Sequence, residues 1–561
     1  MRNLKPSPIA AAAVLALTSS LVAHAEDGRH ALDRIKHIVV VYQENHSFDN
    51  LYGGWERVNG VRHAHVPQVS QVGAAFGCLK QNDVNLTSPP LPVTCTDIAS
   101  GTTSDFGNVP FKIDSFIAAT DTTCPAPGTF APNGVLKGGG LAGGCTKDIV
   151  HRYYQEQYQI DGGKMDRYVT GSDAVGLAMG YYDTRKLPIY AYLHSPGHPN
   201  YVVADNFFQA AFGGSFLNHQ WLVAARTPEW IAAVNDGSAT DLHSVVDANG
   251  MPNNYALYAS PAGTTVKDQA LTASCNPGPG RGPTPVGVVC GDFAINTIQP
   301  FAWPYAPGTA VARRLPALTT PTIGDRLTGA GVDWAWYSGG WANAEGDTTQ
   351  PGYTNGSGST CSDANAIAGS TWPKCPDKLF QFHHQAFNYF ANYAPGAAAR
   401  SAHLRDEAEF LQLAQTSDQH KCQLKAVSFV KPLGAENEHP GYASESAGSD
   451  HLVNLIKAVQ GSACAKDTMI IVTYDEFGGQ ADHVPPPAVG NLKGAYDQWG
   501  PGTRVPALVI APHLRSRFGV DSAVHDTTSI LATIERRFKL QALGSRDAAV
   551  EDLTTVFDAE D

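Results

Sequence analysis

Charged residues are scarce in this 561-residue chain, and basic ones are in the minority. Asp, Glu, Lys and Arg make up 16% of the residues, and 39 basic residues against 52 acidic ones leave a formal net charge of −13. Long runs of Lys or Arg are missing, so we expect no nucleic-acid partner bound through phosphate neutralisation. A disordered chain is excluded, because 43% of the residues are hydrophobic and 9% are aromatic.

Several catalytic and metal-binding motifs are also missing. The sequence contains no Cys-x-x-Cys pair, which counts against a zinc knuckle or a thioredoxin-like site. It contains no Gly-x-Ser-x-Gly, so an α/β-hydrolase type of lipase or esterase is not supported. The absence of Cys-x-Pro-x-Arg weighs against a sulfatase.

The N-terminal residues have the pattern of an export signal. Arg2 and Lys5 precede an apolar stretch over residues 9–22, and Ala-His-Ala at residues 23–25 is typical of a cleavage site. We therefore predict a signal peptide over residues 1–25 and an exported protein, periplasmic or secreted. The apolar stretch is too short for a good membrane span, and no later stretch reaches about 20 apolar residues. We expect no integral membrane segment in the mature chain.

All ten cysteines follow the predicted cleavage site, and an even number in an exported protein indicates disulfides. Their spacing suggests five sequential bridges, although sequence alone leaves other pairings open. The suggested pairs are Cys78–Cys95, Cys124–Cys145, Cys275–Cys290, Cys361–Cys375 and Cys422–Cys464. Residues 64–147 and 226–320 are rich in Gly, Pro, Ser and Thr, and we interpret them as disulfide-pinned insertions in one domain over residues 26–561.

Apolar β-branched runs predict strands buried on both faces. The strongest are residues 37–42, 469–473 and 505–510, and residues 332–337 and 426–430 are weaker candidates. Amphipathic patterns between them predict helices over residues 187–193, 216–225, 380–392, 451–460 and 527–538. Strands that alternate with helices indicate an α/β fold, with a mostly parallel sheet flanked by helices.

Polar residues cluster where two of the strongest strands end. Glu44 and Asn45 follow the first strand, and Asp475 and Glu476 follow the strand at 469–473. Ligands bind beyond the carboxyl ends of such strands, and adjacent carboxylates would repel one another without a cation between them. Hard oxygen ligands of this kind favour a divalent metal ion. The alternative is that these are ordinary solvated loops at strand ends.

Ser215 follows two glycines and opens a predicted helix. The helix N-terminus offers free N–H groups and a positive dipole to an anion. Ser215 is therefore a candidate nucleophile toward a phosphoryl group, with a metal ion lowering its pKa. The alternative is that it serves only as the helix N-cap.

Histidines supply the remaining candidate groups. Protonated histidines could neutralise phosphate oxygens and protonate a leaving alkoxide, although a single histidine is more often structural. The candidates are His151, His383, His384, His439 and His483.

Three segments carry a resemblance to a known family. Residues 35–53 (IKHIVVVYQENHSFDNLYG), 474–487 (YDEFGGQADHVPPP) and 525–538 (HDTTSILATIERRF) resemble the bacterial phosphoesterase family. That family includes exported acid phosphatases and both haemolytic and non-haemolytic phospholipases C. The resemblance implies an alkaline-phosphatase-like core, one divalent metal ion whose identity the sequence leaves open, and small phosphorylated substrates or phospholipid head groups.

The resemblance also implies a role for each candidate residue. Ser215 becomes nucleophile and metal ligand, and the other metal ligands are Glu44, Asn45, Asp475 and Glu476. The histidines divide into two phosphate-binding residues, His151 and His383, and two candidate proton donors to the leaving oxygen, His439 and His384. Phe477 stands where some members carry His. This difference counts against a third ligand from position 477, and also against a two-metal site.

The sequence is compatible with three functions. Ser at position 215, where family phospholipases tend to carry Thr, favours an acid phosphatase that acts on phosphomonoesters through a phosphoserine intermediate. The first alternative is a phospholipase C that cleaves phosphatidylcholine to diacylglycerol and phosphocholine. It would need an aromatic cage for choline, and the candidate cage residues, which could equally be core, are Trp334, Trp336, Tyr337 and Trp341. The second alternative is a catalytically inactive exported binding protein.

Overall fold

The computed structural model describes residues 28–80, 95–98, 101–104, 106–115, 146–228, 245–247, 249–261, 266–267, 302, 314–353, 380–418 and 421–559. The predicted signal peptide and three of the five suggested disulfides lie outside these residues. The other two, Cys78–Cys95 and Cys422–Cys464, are present. Large parts of both proposed insertions also lie outside the described residues, so the domain boundaries stay a prediction.

An eight-stranded sheet forms the centre of the described structure. In chain order its strands are β1 (His37–Gln43), β2 (Tyr201–Ala204), β3 (Trp334–Ser338), β4 (Leu404–Asp406), β5 (Val427–Lys431), β6 (Thr468–Tyr474), β7 (Ala507–Ile510) and β8 (Phe518–Asp521). Their order across the sheet is β4-β3-β5-β1-β6-β7-β2-β8. All neighbouring pairs are parallel except the two that involve β7, which is antiparallel to β6 and to β2.

The predicted mostly parallel α/β sheet is therefore confirmed, with one antiparallel strand inside it. All five predicted strands are present, within two residues of their predicted limits. Strands β1 and β6 lie at the middle of the sheet and are almost wholly buried. That position explains their continuous apolar runs, because both faces of each strand are covered.

Helices flank the sheet. They are α1 (Phe48–Leu51), α2 (Tyr153–Ile160), α3 (Pro188–Leu193), α4 (Ser215–Ala224), α5 (Ile323–Gly329), α6 (Trp341–Glu345), α7 (Ala398–His403), α8 (Glu407–Thr416), α9 (Glu445–Gln460) and α10 (Thr527–Phe538). Helix α9 packs against α3, and α10 packs against α4. No helix within the described part of the chain has the length and apolar character needed to cross a membrane.

The predicted helix over residues 380–392 is wrong. The segment forms three short 3-10 turns, Phe382–His384, Ala386–Tyr389 and Ala391–Tyr393. Its backbone pairs with Leu318, which accepts a hydrogen bond from the N–H of Ala391 and donates one to the carbonyl of Tyr389. These hydrogen bonds involve backbone groups that would pair within the segment if it were a continuous helix. The periodicity of the sequence does not indicate this pairing.

Short two-stranded pairs complete the described structure. They join Cys78–Leu79 to Phe106–Gly107, Cys95–Asp97 to Thr102–Ser104, Phe111–Lys112 to Gly180–Tyr181, Phe207–Phe208 to His525–Asp526, and Val245–Val246 to Val266–Lys267.

Candidate active site

The loops after β1 and β6 meet at the carboxyl ends of these two central strands. The two strands are parallel neighbours, with Gln43 opposite Tyr474. Glu44–Asn45 and Asp475–Glu476 therefore leave the sheet side by side, and the Asn45 N–H donates to Asp475 Oδ1 at 3.0 Å. All four side chains are fully buried, so they are not solvated strand-end loops, and that alternative is wrong.

A glycine allows this close approach. Gly478 has φ +64° and lies against the backbone of Asn45, where a Cβ would stand 2.2 Å from the Asn45 carbonyl oxygen. Asn45 itself has φ 58°, in the left-handed region where Asn is tolerated better than most residues. The geometry of the two loops therefore depends on the absence of a side chain at position 478.

Ser215 is the first residue of α4, and Gly214 is the N-cap. Its hydroxyl does not cap the helix. It donates to Glu44 Oε2 at 3.2 Å and lies 3.5 Å from Asn45 Oδ1. The N-cap interpretation is therefore wrong, and the hydroxyl lies among the polar groups at the ends of the two central strands.

Two histidines contact the amide of Asn45. His439 Nε2 lies 3.1 Å from Asn45 Nδ2, and His151 Nε2 lies 3.5 Å from the same atom. His151 Nε2 is also 3.1 Å from Glu476 Oε1. Both histidines come from loops: His439 follows β5, and His151 stands two residues before α2.

The other two candidate histidines lie in the first of the 3-10 turns that replace the predicted helix. His384 Nδ1 is 3.2 Å from Glu44 Oε1. The ring of His383 packs edge-on against that of His384, with centroids 4.3 Å apart. The turn therefore brings His384 to the acidic cluster and places His383 beside it.

His483 lies elsewhere. Its Nδ1 is 2.6 Å from Asp49 Oδ2, and it belongs to a buried group with Asp482 and Arg504. Arg504 donates to Asp482 Oδ1 at 2.8 Å and to Asp49 Oδ1 at 3.3 Å, so the two carboxylates already have a cation. These contacts form an ion-pair network.

Neighbouring carbonyl groups determine which nitrogen carries the proton in two of the site histidines. His439 Nδ1 donates to the carbonyl of Pro440 at 2.7 Å, and His151 Nδ1 donates to that of Ile149 at 2.5 Å. Burial lowers the pKa of both residues, and it lowers the pKa of His383 to about 3. In the neutral form, Nε2 of His439 therefore has a lone pair directed at the Asn45 amide.

Two residues at the site were missed by the sequence analysis. Lys431 ends β5 and is buried, and its ammonium contacts Glu44 Oε1 and donates to the Tyr42 carbonyl at 3.0 Å. His219 lies one turn after Ser215 on α4, 3.6 Å from Glu44 Oε1. A signal for His219 was available, because residues four apart share one helix face. A charged residue at the end of an apolar strand was the signal for Lys431.

The donor set fits a divalent cation. Burial, followed by the charge of Asp475, raises the pKa of Glu44 and of Glu476 well above the usual value. Asp475 Oδ2 has no hydrogen-bond partner within the described part of the chain. Buried carboxylates are stable only when a cation or hydrogen bonds compensate them. Carboxylate, amide and hydroxyl oxygens close together are suitable ligands for a hard divalent ion.

The four aromatic residues considered for a choline cage are core residues. Trp334, Trp336, Tyr337 and Trp341 are each at most 1% exposed and belong to the core. Trp334 packs against Phe387, and the indole N–H of Trp336 donates to Gln385 at 2.8 Å. The interpretation of these aromatics as core is confirmed.

Residues 35–541 match the model of the family described as "Phosphoesterase family". "Phospholipase C A" of Mycobacterium tuberculosis is 24% identical over 555 residues, which cover 94% of this chain and 78% of that protein. "Non-hemolytic phospholipase C" of Pseudomonas aeruginosa is 28% identical over 218 residues, covering 34% of this chain and 31% of that protein. A solved protein of the alkaline phosphatase superfamily from Vibrio parahaemolyticus aligns over 40% of this chain and 50% of its own, with 16% identity and a TM-score of 0.21.

Proposed function

Because this chain belongs to the phosphoesterase family, and is thus a phosphoester hydrolase, we propose that it is an exported, metal-dependent acid phosphatase. It hydrolyses phosphomonoesters through a phosphoserine at Ser215. The observation that carries the proposal is the position of the Ser215 hydroxyl, 3.2 Å from Glu44 at the N-terminus of α4. A phosphoryl group held there would meet free backbone N–H groups and a positive helix dipole.

The proposed metal ligands are Glu44, Asn45, Ser215, Asp475 and Glu476. One bound divalent ion would lower the pKa of the Ser215 hydroxyl and offset negative charge on the phosphoryl oxygens. The ion's identity is left open. Glu44, Asp475 and Glu476 are buried, and burial together with the charge of Asp475 raises the pKa of the two glutamates, which supports this assignment because such a group needs a compensating positive charge.

The chemistry then needs two displacements at phosphorus. Ser215 Oγ gives up its proton and bonds to phosphorus as the bond to the leaving oxygen breaks. Water then bonds to phosphorus as the Oγ–P bond breaks, returning a proton to Oγ and releasing phosphate. His439 and His384 are the candidates to carry the Ser215 proton to the leaving oxygen, and Nε2 of neutral His439 has the lone pair needed to take that proton up. His151 and His383 are the proposed contacts to the phosphoryl oxygens.

The test compares Ser215→Ala with the wild-type enzyme on p-nitrophenyl phosphate and p-nitrophenylphosphorylcholine, at acid and at neutral pH. We expect the monoester to be preferred at acid pH, and Ser215→Ala to lower its kcat/KM by about 10⁴–10⁶-fold, as for nucleophiles elsewhere. Ser401→Ala is the control, because Ser401 is exposed on α7. Activity that survives in Ser215→Ala would remove the nucleophile assignment.

A phospholipase C is the second candidate, favoured by the names of the relatives from Mycobacterium tuberculosis and Pseudomonas aeruginosa. A preference for the choline diester in the same assay would establish it. If a folded, metal-loaded protein turned over neither substrate, the inactive binding protein would be the better interpretation. Export is tested by N-terminal sequencing of the purified protein, which should begin at Glu26.

A further inference from the structure

Glu44 has a different partner at each of its two oxygens. Oε2 accepts the hydrogen bond from Ser215 and belongs to the proposed metal site. Oε1 contacts the ammonium of Lys431, which is 1% exposed and also donates to the Tyr42 carbonyl. Because Lys431 is buried and directed at one oxygen, the carboxylate is oriented with the other toward Ser215.

The surroundings of Oε1 resemble a second metal site. His384 Nδ1 lies 3.2 Å from this oxygen and His219 Nε2 lies 3.6 Å from it. His219 Nδ1 donates to the carbonyl of Ser215 at 2.7 Å, so Nε2 has a lone pair, and it has no hydrogen-bond partner within the described part of the chain. The three ligand atoms of Glu44, His219 and His384 lie within 4.8 Å of one another, and one carboxylate with two imidazoles is a common set for zinc.

The ammonium of Lys431 contacts the same oxygen of Glu44 that such an ion would need. Charge counting supports this. Glu44, Asp475 and Glu476 are fully buried and carry three negative charges when ionised. One divalent ion and one ammonium would supply three positive charges, so the site would be neutral. A second divalent ion in place of Lys431 would leave an excess positive charge in a buried site, which is costly.

We propose that Lys431 is a positioning residue that takes the place of a second metal ion at Glu44. Its ammonium neutralises Oε1, keeps Oε2 directed at Ser215, and restricts the site to one divalent ion. The inference rests on the proposed metal site. It predicts that removing this charge converts Glu44, His219 and His384 into a binding site for a second ion.

The test measures metal content instead of activity. Wild type, Lys431→Met, Lys431→Arg and the control Lys425→Met are stripped with a chelator, dialysed against Zn²⁺ and analysed for bound zinc. We expect wild type, Lys431→Arg and Lys425→Met to bind one equivalent of zinc, and we expect Asp475→Asn to abolish this binding. We expect Lys431→Met to hold a second equivalent, which is lost when His219→Gln is added. Lys425 is a suitable control because it precedes the same strand and is partly exposed.

A folded Lys431→Met protein that binds no His219-dependent zinc would overturn the inference and leave the proposed metal site intact. If Lys431→Met does not fold, the zinc content of the wild type is the deciding measurement. A second equivalent of zinc that is lost in His219→Gln would overturn the inference. A wild type that saturates at one equivalent of zinc would support it. A wild type that binds no Asp475-dependent zinc would overturn both the metal site and the role of Lys431.

Discussion

Gly478 offers a sharp test of how closely the two loops of the site must approach. It follows the acidic pair after β6, has φ +64°, and lies directly against Asn45. We predict that Gly478→Ala lowers kcat/KM for p-nitrophenyl phosphate by about 100-fold, since a displacement of about 1 Å at a catalytic group costs about that much.

The magnitude follows from the distances. A Cβ at position 478 would stand 2.2 Å from the Asn45 carbonyl oxygen, and Cβ contacts below 3.0 Å are essentially never found, so the backbones must separate by at least 3.0 − 2.2 = 0.8 Å. The left-handed conformation adds about 1 kcal/mol for any residue with a Cβ. Asn45, a proposed metal ligand, lies in the direction of that displacement.

Gly197→Ala is the matched control. Gly197 has φ +81°, and a Cβ there would meet nothing within 4 Å. We expect this variant to lose about 1 kcal/mol of unfolding free energy and to keep full activity. The assay measures kcat/KM, bound metal and urea unfolding for both variants. A Gly478→Ala protein with the kcat/KM and metal content of the wild type would show that the two loops tolerate a side chain at this position.

Two further predictions concern stability away from the site. Replacing Cys422 and Cys464 by Ser opens a disulfide that spans 42 residues, and the chain-entropy relation predicts that the free energy of unfolding falls by about 4 kcal/mol. Urea unfolding under non-reducing conditions measures this loss, and an unchanged midpoint would contradict the prediction. Burial lowers the pKa of His451, but Glu407 at 2.7 Å raises it more, to about 9. Because this exceeds the unfolded value of about 6.5, the pair stabilises the fold fully below about pH 6.5 and loses that contribution as the pH rises through about 9. The unfolding midpoint should therefore fall more steeply over this window in the wild type than in His451→Gln, and parallel curves would refute the assignment.

Much of the fold could be predicted because buried strands have a local signature. A strand covered on both faces must be apolar at every position, and residues 37–42 and 469–473 have that composition. The prediction failed over residues 380–392, where pairing with Leu318 replaces helical hydrogen bonds. The antiparallel direction of β7 was likewise unpredictable, because it depends on the path of the chain between strands.

The residues of the candidate site likewise include some that could be predicted from the sequence and some that could not. Glu44, Asn45, Asp475 and Glu476 could be identified because they follow apolar strands directly. Ser215 remained ambiguous between N-cap and nucleophile, since both uses suit a residue after two glycines. Only the direction of its hydroxyl, toward Glu44 and away from its own helix, distinguishes them.

Local composition is enough to identify the central strands and the polar residues at their ends, because burial selects composition residue by residue along the chain. Which oxygen of Glu44 faces Ser215 and which faces Lys431 depends on tertiary contacts. Lys431 is 387 positions from Glu44, and Ser215 is 171 positions away. Contacts over such separations depend on the order of strands in the sheet, and local patterns contain no information about that order.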